Sequence, residues 1–131
     1  MKEEIISIET VVSKMLIEKN LTISTAESCT GGLVSATLIN YPGISSVFIE
    51  GCVTYSNESK INRLGVNPNT LKIHGAVSEE TAREMAEGIA KNFDTNVAIS
   101  TTGIAGPDGG TIDKPVGLVY IGIYINGKTT V

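Results

Sequence analysis

The sequence is poor in the side chains that bind metal ions, with one histidine and two cysteines in 131 residues. Cys29 and Cys52 have no partners at the spacing of a zinc site. Each lies in a segment predicted to pack inside the domain, so we expect buried free thiols. Asp108 and Asp113 lie near each other in a predicted loop, where two carboxylates are normally solvated. We therefore assign no metal site.

The sequence also lacks an excess of positive charge and any long apolar run. Lysine and arginine number 10 against 14 acids, a net charge of −4, whereas proteins that bind nucleic-acid phosphates need a basic face. Charged residues interrupt the first twenty positions, which excludes a signal peptide, and no segment approaches the roughly 18 apolar residues of a membrane span. We expect a soluble, cytoplasmic protein with no nucleic-acid or membrane partner, although one small phosphate could still bind.

What the sequence does contain is a regular alternation of strand and helix patterns. No linker or repeat interrupts it, so residues 1–131 are interpreted as a single domain. Strands are predicted over 21–26, 48–55, 97–101, 117–125 and 128–131, and helices near the start and over 33–39, 58–64 and 78–93. Strands that alternate with helices and end in a hairpin predict an α/β fold, a three-layer α/β/α domain with a mixed sheet.

Local signals support several of these elements. Ser78 is a helix N-cap, Gly65 a helix end, and Asn126-Gly127 a hairpin turn. The apolar stripe of the first helix is Ile5, Ile8, Val12, Met15 and Leu16, and that of the 78–93 helix is Ala82, Met85, Ala86, Ile89 and Phe93. The last strand has no covering helix, so we expect one face of the sheet to be open there, or to be covered by a second subunit.

Ser28 is the first candidate for chemistry, because it lies where a strand turns into a helix. Unpaired amides at a helix start can bind an anion or stabilise an oxyanion. Gly31 and Gly32 would let a ligand approach the backbone closely. Taken alone, however, these residues favour a simpler interpretation, in which Ser28 or Thr30 caps the helix.

A serine nucleophile needs a group that removes its proton. The single histidine, His74, is predicted to lie in a loop as a structural or solvated residue. Tyr55 follows a strand, where the sites of open α/β sheets gather, and Lys60 follows it by just over one helical turn. A lysine acts as a base only if its pKa is lowered, so Lys60, taken alone, is interpreted as a surface lysine.

The glycine-rich loop 101–110 is the third candidate. Its free amides could form a nest for phosphate or carboxylate. It matches neither the phosphate loop of nucleotide hydrolases nor the dinucleotide-binding pattern. A tight structural turn explains it equally well.

Four segments occur together in one order, followed by 114–117. They are Thr25-Ala26-Glu27-Ser28-Cys29-Thr30-Gly31-Gly32, Tyr55-Ser56-Asn57-Glu58-Ser59-Lys60, His74-Gly75-Ala76-Val77-Ser78 and Thr102-Gly103-Ile104-Ala105-Gly106-Pro107-Asp108-Gly109-Gly110. In this combination the chain, from about residue 21 to its end, closely resembles the CinA C-terminal domain family, whose characterised members are nicotinamide-nucleotide amidohydrolases.

The resemblance implies hydrolysis of nicotinamide mononucleotide to nicotinate mononucleotide and ammonia, without a metal or other cofactor. Carried over by motif, Ser28 is the expected nucleophile and Tyr55 and Lys60 the groups that activate it, so no histidine is needed. The amides at the helix start would hold the oxyanion. The expected substrate-binding residues are Thr30, Gly31, Gly32, Thr102, Gly103 and Gly106.

Two departures from the family pattern keep other hypotheses open. The chain has no room for the larger N-terminal domain of some relatives, so it resembles the stand-alone form, and it ends before a Gly-Asp-Arg-like segment and a closing helix. The first alternative is therefore a catalytically silent domain that binds a nucleotide or a partner. The second is an amide or ester hydrolase for another phosphorylated small molecule. The resemblance also suggests a homodimer.

Overall fold

A computed structural model describes residues 4–131 of the chain. Its helices are α1 (Ile8–Glu18), α2 (Leu33–Ile39), α3 (Asn57–Leu64), α4 (Pro68–His74) and α5 (Glu79–Phe93), with a 3₁₀ turn at Ile44–Ser46. Its strands are β1 (Ile23–Glu27), β2 (Phe48–Val53), β3 (Val97–Gly103), β4 (Val119–Ile125) and β5 (Lys128–Thr130). All the strands and four of the five helices correspond to predicted elements.

The five strands form one mixed sheet in the order β2-β1-β3-β4-β5. β1 is parallel to both β2 and β3, whereas β3–β4 and β4–β5 are antiparallel. The β4–β5 hairpin turns at Asn126 and Gly127, whose φ angles of 44° and 91° are both positive, as a type I′ turn requires. The predicted C-terminal hairpin is confirmed.

Helices cover both faces of the sheet, which gives the predicted three layers. On one face Leu16 of α1 and Leu38 of α2 pack with Ile23 and Val97 of the sheet. On the other, α3, α4 and α5 pack against the sheet through a second cluster: Leu64, Leu71, Met85, Ile89, Ala26 and Ala98. Because side chains alternate along a strand, consecutive residues of β1 serve different layers.

Helix α5 is the central helix of the second layer and follows its predicted pattern closely. The Ser78 hydroxyl accepts the Thr81 amide as N-cap. The stripe is fully buried at Ala82, Met85, Ala86 and Ile89. Phe93, at its end, is 39% exposed, so the stripe stops one turn earlier than predicted.

The N-terminal helix begins later than its apolar pattern predicts. Ser7 caps α1, so Ile5 lies outside the helix and is exposed. The prediction that Ile8 and Met15 belong to the buried stripe is wrong, because both are exposed. Leu16 of the same stripe is buried as predicted, and Ser13, which the stripe did not include, is buried beside it.

Helix α4 was not predicted. It begins at the Asn67 N-cap, whose side chain accepts the Asn69 amide, with Pro68 in the first turn. This pair is a recognised helix start. The prediction that His74 lies in a loop is consequently wrong, since it is the last residue of this helix.

One stretch of the sheet is left open on the α1 side. The side chains of β4 that face this layer are 42–51% exposed: Val119, Ile121, Ile123 and Ile125. Ile123 and Ile125 border an apolar groove that α1 lines with Val12 and Met15. The expectation of an open sheet face beside the last strands is thus confirmed within residues 4–131.

Candidate active site

Ser28 lies at the carboxyl end of β1, between β2 and β3. Its amide donates a 3.0 Å hydrogen bond to the carbonyl oxygen of Thr101 in β3, and only 7% of the residue is exposed. Strand alternation directs Glu27 to the α2 side of the sheet and Ser28 to the α3 side. The carboxyl ends of parallel strands are the usual location of sites in open α/β sheets.

Lys60 reaches Ser28 from helix α3. Its Nζ atom lies 3.1 Å from Ser28 Oγ, 2.8 Å from the carbonyl oxygen of Thr54 and 3.0 Å from that of Tyr55. The residue is 1% exposed, so interpreting Lys60 as a surface lysine is wrong. The structure therefore brings together two of the three predicted catalytic residues, which are 32 positions apart in the chain.

The surroundings of Lys60 favour its neutral form. Burial lowers the pKa of Lys60 from its ordinary 10.5, while negative charge on Cys29 would act in the opposite direction. No carboxylate pairs with this ammonium among residues 4–131. A neutral amine keeps two N–H donors and gains a lone pair. When both donors bind the two carbonyls, the lone pair is left for the Ser28 hydroxyl proton.

Tyr55 joins this cluster through its backbone alone. Its carbonyl accepts Lys60, but its side chain is 73% exposed and makes no hydrogen bond in the part of the chain that the structure describes. The predicted activating role of the Tyr55 phenol stays a prediction, because the structure places its carbonyl, and not its ring, beside Lys60.

The side-chain carboxylate of Glu27 lies at the start of helix α2. Its Oε1 atom accepts hydrogen bonds from the Thr30 hydroxyl (2.6 Å), the Gly32 amide (3.2 Å) and the Val34 amide (2.9 Å). Its Oε2 atom accepts the amide and the hydroxyl of Ser35, at 2.9 and 2.7 Å. The interpretation that Ser28 or Thr30 caps this helix is therefore wrong, because a buried carboxylate does so.

The pKa of Glu27 follows from this arrangement. Burial raises it, but the hydrogen bonds from Thr30, Ser35 and Val34 outweigh burial and hold it below its ordinary 4.5. The carboxylate is thus charged at neutral pH, and it compensates the positive end of the α2 dipole.

The expectation that the helix-start amides hold an oxyanion needs a correction. The amides of Gly32, Val34 and Ser35 already bind Glu27. The amides of Cys29 and Thr30 donate to no other residue within 4–131. These two, directly after Ser28, are the donors left for an oxyanion.

Two of the predicted substrate-binding residues beside Ser28 already donate hydrogen bonds within the protein. The Thr30 hydroxyl donates its single proton to Glu27, and the Gly32 amide is also bound to Glu27. Gly31 has a φ of +60°, and a Cβ atom there would meet nothing within 4 Å, so its backbone is open to a ligand. Substrate contacts at these positions stay predictions.

The glycine-rich loop has clear packing roles. The Thr102 hydroxyl donates to the Ala76 carbonyl at 2.7 Å. A Cβ atom on Gly103 would lie 2.7 Å from the Leu118 carbonyl oxygen and 3.1 Å from Cys29 Sγ, and one on Gly106 would collide with Val116. These contacts explain the residues without a ligand, and their substrate contacts stay predictions.

The remaining candidates lie outside this cluster. His74 is half-exposed and lies 3.7 Å from Glu80, with Lys114 donating to its carbonyl, in keeping with a structural or solvated residue. Both cysteines are free, Cys52 buried and Cys29 partly so. Burial raises the pKa of each thiol. Within residues 4–131, no cluster of three or more His, Cys, Asp or Glu side chains is arranged to hold a metal ion.

The sequence interpretation missed the roles of Glu27 and Thr101. Glu27 lies six positions before the predicted helix start at Leu33, outside the first turn in which an acid indicates dipole compensation, so no local pattern indicated its role. No local signal pointed to Thr101, whose contacts with Ser28 and Thr30 span more than 70 positions.

The family model for the CinA C-terminal domain matches residues 5–131. The chain belongs to the CinA C-terminal domain family. Two relatives named for competence-damage induction are 71% identical over 125 residues, in Clostridioides difficile, and 70% identical over 128 residues, in Clostridium beijerinckii. These matches cover 95% and 98% of the chain, which spans only 30% and 31% of the two relatives.

Solved structures agree with this assignment. A competence/damage-inducible protein of Agrobacterium tumefaciens superposes with a TM-score of 0.87 at 40% identity, over 98% of this CinA C-terminal domain and 81% of that chain. A competence damage-inducible protein of Klebsiella pneumoniae gives 0.89 at 38% identity, over 93% and 76%. The fold of the domain is therefore the fold of this family.

A membrane-spanning helix was not expected in this CinA C-terminal domain. Across residues 4–131, none of the helices combines the length and the apolar character needed to cross a bilayer. The longest of them, α5, has 15 residues.

Proposed function

We propose that the domain is a cytoplasmic amidohydrolase that converts nicotinamide mononucleotide to nicotinate mononucleotide and ammonia. The observation that carries the proposal is the 3.1 Å contact between Lys60 Nζ and Ser28 Oγ inside a buried cluster. It supports a serine nucleophile activated by lysine. The substrate comes from the family resemblance, and the contact itself supports amide or ester hydrolysis in general.

The proposed reaction begins with attack of Ser28 Oγ on the carboxamide carbon. The hydroxyl proton moves to neutral Lys60, and the amides of Cys29 and Thr30 stabilise the tetrahedral oxyanion. Lys60 then gives the proton to the leaving nitrogen, the C–N bond breaks and ammonia departs. The product of this half is an ester between Ser28 and the nicotinoyl group.

Water completes the cycle. Lys60 takes a proton from the attacking water, whose oxygen bonds to the ester carbon. The bond to Ser28 Oγ breaks, and Lys60 returns the proton to that oxygen. The free acid loses its own proton to solvent, so the products are nicotinate mononucleotide and the regenerated hydroxyl.

The experiment that tests the proposal is ammonia release from nicotinamide mononucleotide by this chain in the presence of a chelator. Ser28→Ala should abolish release while circular dichroism stays unchanged. Ser45→Ala, at an exposed serine away from the cluster, is the matched control and should retain full activity. Turnover by Ser28→Ala would refute the nucleophile.

The same experiment separates the two alternatives. Nucleotide binding without turnover would support the silent binding domain, an alternative kept because the chain spans 30–31% of its curated relatives. Turnover of other phosphorylated amides or esters, but not of nicotinamide mononucleotide, would support the different hydrolase. Homodimer formation stays a prediction, to be measured by sedimentation of the same sample.

A further inference from the structure

The buried carboxylate of Glu27 is the feature beside Ser28 that the proposed reaction does not use. Glu27 is fully buried, and it is the residue directly before the nucleophile. Its five hydrogen bonds come from four residues that follow Ser28, between positions 30 and 35. The buried carboxylate therefore binds together the residues of the turn between β1 and α2.

The charge of Glu27 also fixes the direction of a chain of hydroxyl groups. A carboxylate only accepts hydrogen bonds, so the single proton of the Thr30 hydroxyl points to Glu27. Thr30 Oγ1 lies 2.7 Å from Thr101 Oγ1. Because Thr30 has no second proton to give, Thr101 must be the donor of this bond.

Thr101 connects this chain to the nucleophile. Its carbonyl oxygen accepts the Ser28 amide at 3.0 Å, and its hydroxyl oxygen lies 3.4 Å from the same nitrogen. The bonds thus run from Ser28 to Thr101, from Thr101 to Thr30 and from Thr30 to Glu27. The turn that carries Ser28 and the free amides of Cys29 and Thr30 is held at both ends.

We infer that Glu27 is a positioning residue for the nucleophile: its carboxylate sets the turn so that Ser28 Oγ meets Lys60 and the two free amides meet the oxyanion. This inference rests on the proposed function, because positioning matters only if Ser28 reacts. Glu27 does not touch the reacting atoms. A carboxylate that merely capped α2 would change stability and leave the reactivity of the folded protein unaltered.

The first test compares Glu27→Gln with Glu58→Gln, an exposed acid in the first turn of α3. The amide keeps the size of Glu27 but replaces one acceptor oxygen with a donor that faces other donors. We expect kcat for ammonia release to fall about 100-fold, since a displacement of about 1 Å can cost that much, with KM within about twofold of the parent. Glu58→Gln should match the parent. A folded Glu27→Gln protein with parental kcat would overturn the inference.

A second pair of variants tests the inference even if Glu27→Gln does not fold. Thr101→Val keeps the shape of the side chain but removes the donor to Thr30, whereas Thr101→Ser retains the hydroxyl. We expect kcat of Thr101→Val to fall about tenfold, in line with about 1.4 kcal/mol of lost transition-state stabilisation, and Thr101→Ser to recover most of that loss. Equal kcat values for the two variants would contradict the chain of hydroxyls.

A covalent probe separates this inference from the substrate assignment. With a small alkyl fluorophosphonate, Ser28 Oγ bonds to phosphorus, fluoride leaves, and the hydroxyl proton passes to Lys60. Mass spectrometry gives the labelling rate in each variant. Rapid labelling of the parent without turnover of nicotinamide mononucleotide would refute the substrate alone, and a slower rate in Glu27→Gln would still support positioning. No labelling of the parent would overturn both.

Discussion

Glu27 and Lys60 are two buried ionisable side chains near Ser28 that lie on opposite faces of the sheet, and their surroundings differ. Glu27 accepts five hydrogen bonds, three of them from backbone amides. Lys60 donates to two carbonyls and one hydroxyl, and it has no counter-ion among residues 4–131. Glu27 is surrounded by five hydrogen-bond donors, whereas Lys60 has three neutral acceptors and, in the described part of the chain, no opposite charge beside it.

The pKa of each group is lowered, with opposite consequences for its charge. For Glu27 the hydrogen bonds overcome burial, so the lowered pKa keeps the carboxylate ionised. For Lys60 burial dominates, so the lowered pKa brings the neutral amine closer to neutral pH. Groups with perturbed pKa values in a shared cluster are typical of functional sites. We therefore assign a structural role to Glu27, whose surroundings stabilise its charge, and a chemical role to Lys60, whose burial disfavours its charge.

The largest effect should come from removing the amine. Lys60→Met retains the length and apolar stem of the side chain but has no lone pair to take the Ser28 proton. We expect kcat for ammonia release to fall about 1,000-fold, within the usual range for loss of a general base. Lys72→Met, at an exposed lysine of α4, is the control and should leave kcat unchanged. Lys60→Arg should also be inactive, because a guanidinium cannot deprotonate, and activity in that variant would refute the role of Lys60 as base.

The second largest effect should be the loss of stability when Glu27 loses its charge. Glu27→Gln leaves several buried donors without an acceptor, so the free energy of unfolding at pH 7 should fall by about 2–3 kcal/mol. Because the folded pKa of Glu27 lies below 4.5, its stabilisation is present above that pH and is lost as pH falls through the folded pKa. The free energy of unfolding, measured with urea, should therefore decrease less between pH 7 and pH 3 in the variant than in the parent. An unchanged acid slope would contradict a charged Glu27.

Much of the fold could be predicted from short-range patterns. The positive φ angles of the β4–β5 turn and the Ser78 cap of α5 depend on adjacent residues, and both predictions are confirmed. Helix α4 was missed because it buries a single side chain, Leu71, and so has no apolar stripe, which leaves the Asn67 cap and Pro68 to mark it. Ile8 and Met15 are exposed because of the part of the sheet that α1 covers, and no local pattern contains that information.

The candidate site was only partly predictable. Local sequence favoured a capping role for Ser28 or Thr30 and a surface position for Lys60, and only the family resemblance connected Ser28 with Lys60. Their contact depends on the parallel pairing of β1 with β2, which brings the residues after both strands to one edge of the sheet. The saturation of Glu27 depends on the left-handed backbone at Gly31 and Gly32, which folds the next turn back over its carboxylate.

A smaller effect should appear in the pH dependence of the reaction. Only neutral Lys60 can accept the Ser28 proton, so kcat/KM should rise with pH, about tenfold per unit below the pKa of Lys60. The plateau should begin below pH 10.5, because burial lowers that pKa from its ordinary value of 10.5. Ammonia release measured from pH 6 to pH 10 checks this. A profile that falls across the range would exclude a lysine base.

The smallest predicted effect tests whether each hydrogen bond to Glu27 contributes to its stabilisation. Ser35→Ala removes one of its five donors, the hydroxyl 2.7 Å from Oε2, and keeps the Ser35 amide. Since that hydroxyl gives its proton to Glu27, the buried Thr25 hydroxyl, 2.7 Å away, must donate to it and loses its acceptor as well. We expect a loss of about 1 kcal/mol in unfolding free energy and a rise in the pKa of Glu27 toward 4.5, which would move acid unfolding to higher pH than in a Ser45→Ala control. An identical acid midpoint in both variants would show that the remaining four donors saturate the carboxylate, and the contrast with Lys60 would then depend on the backbone amides and Thr30.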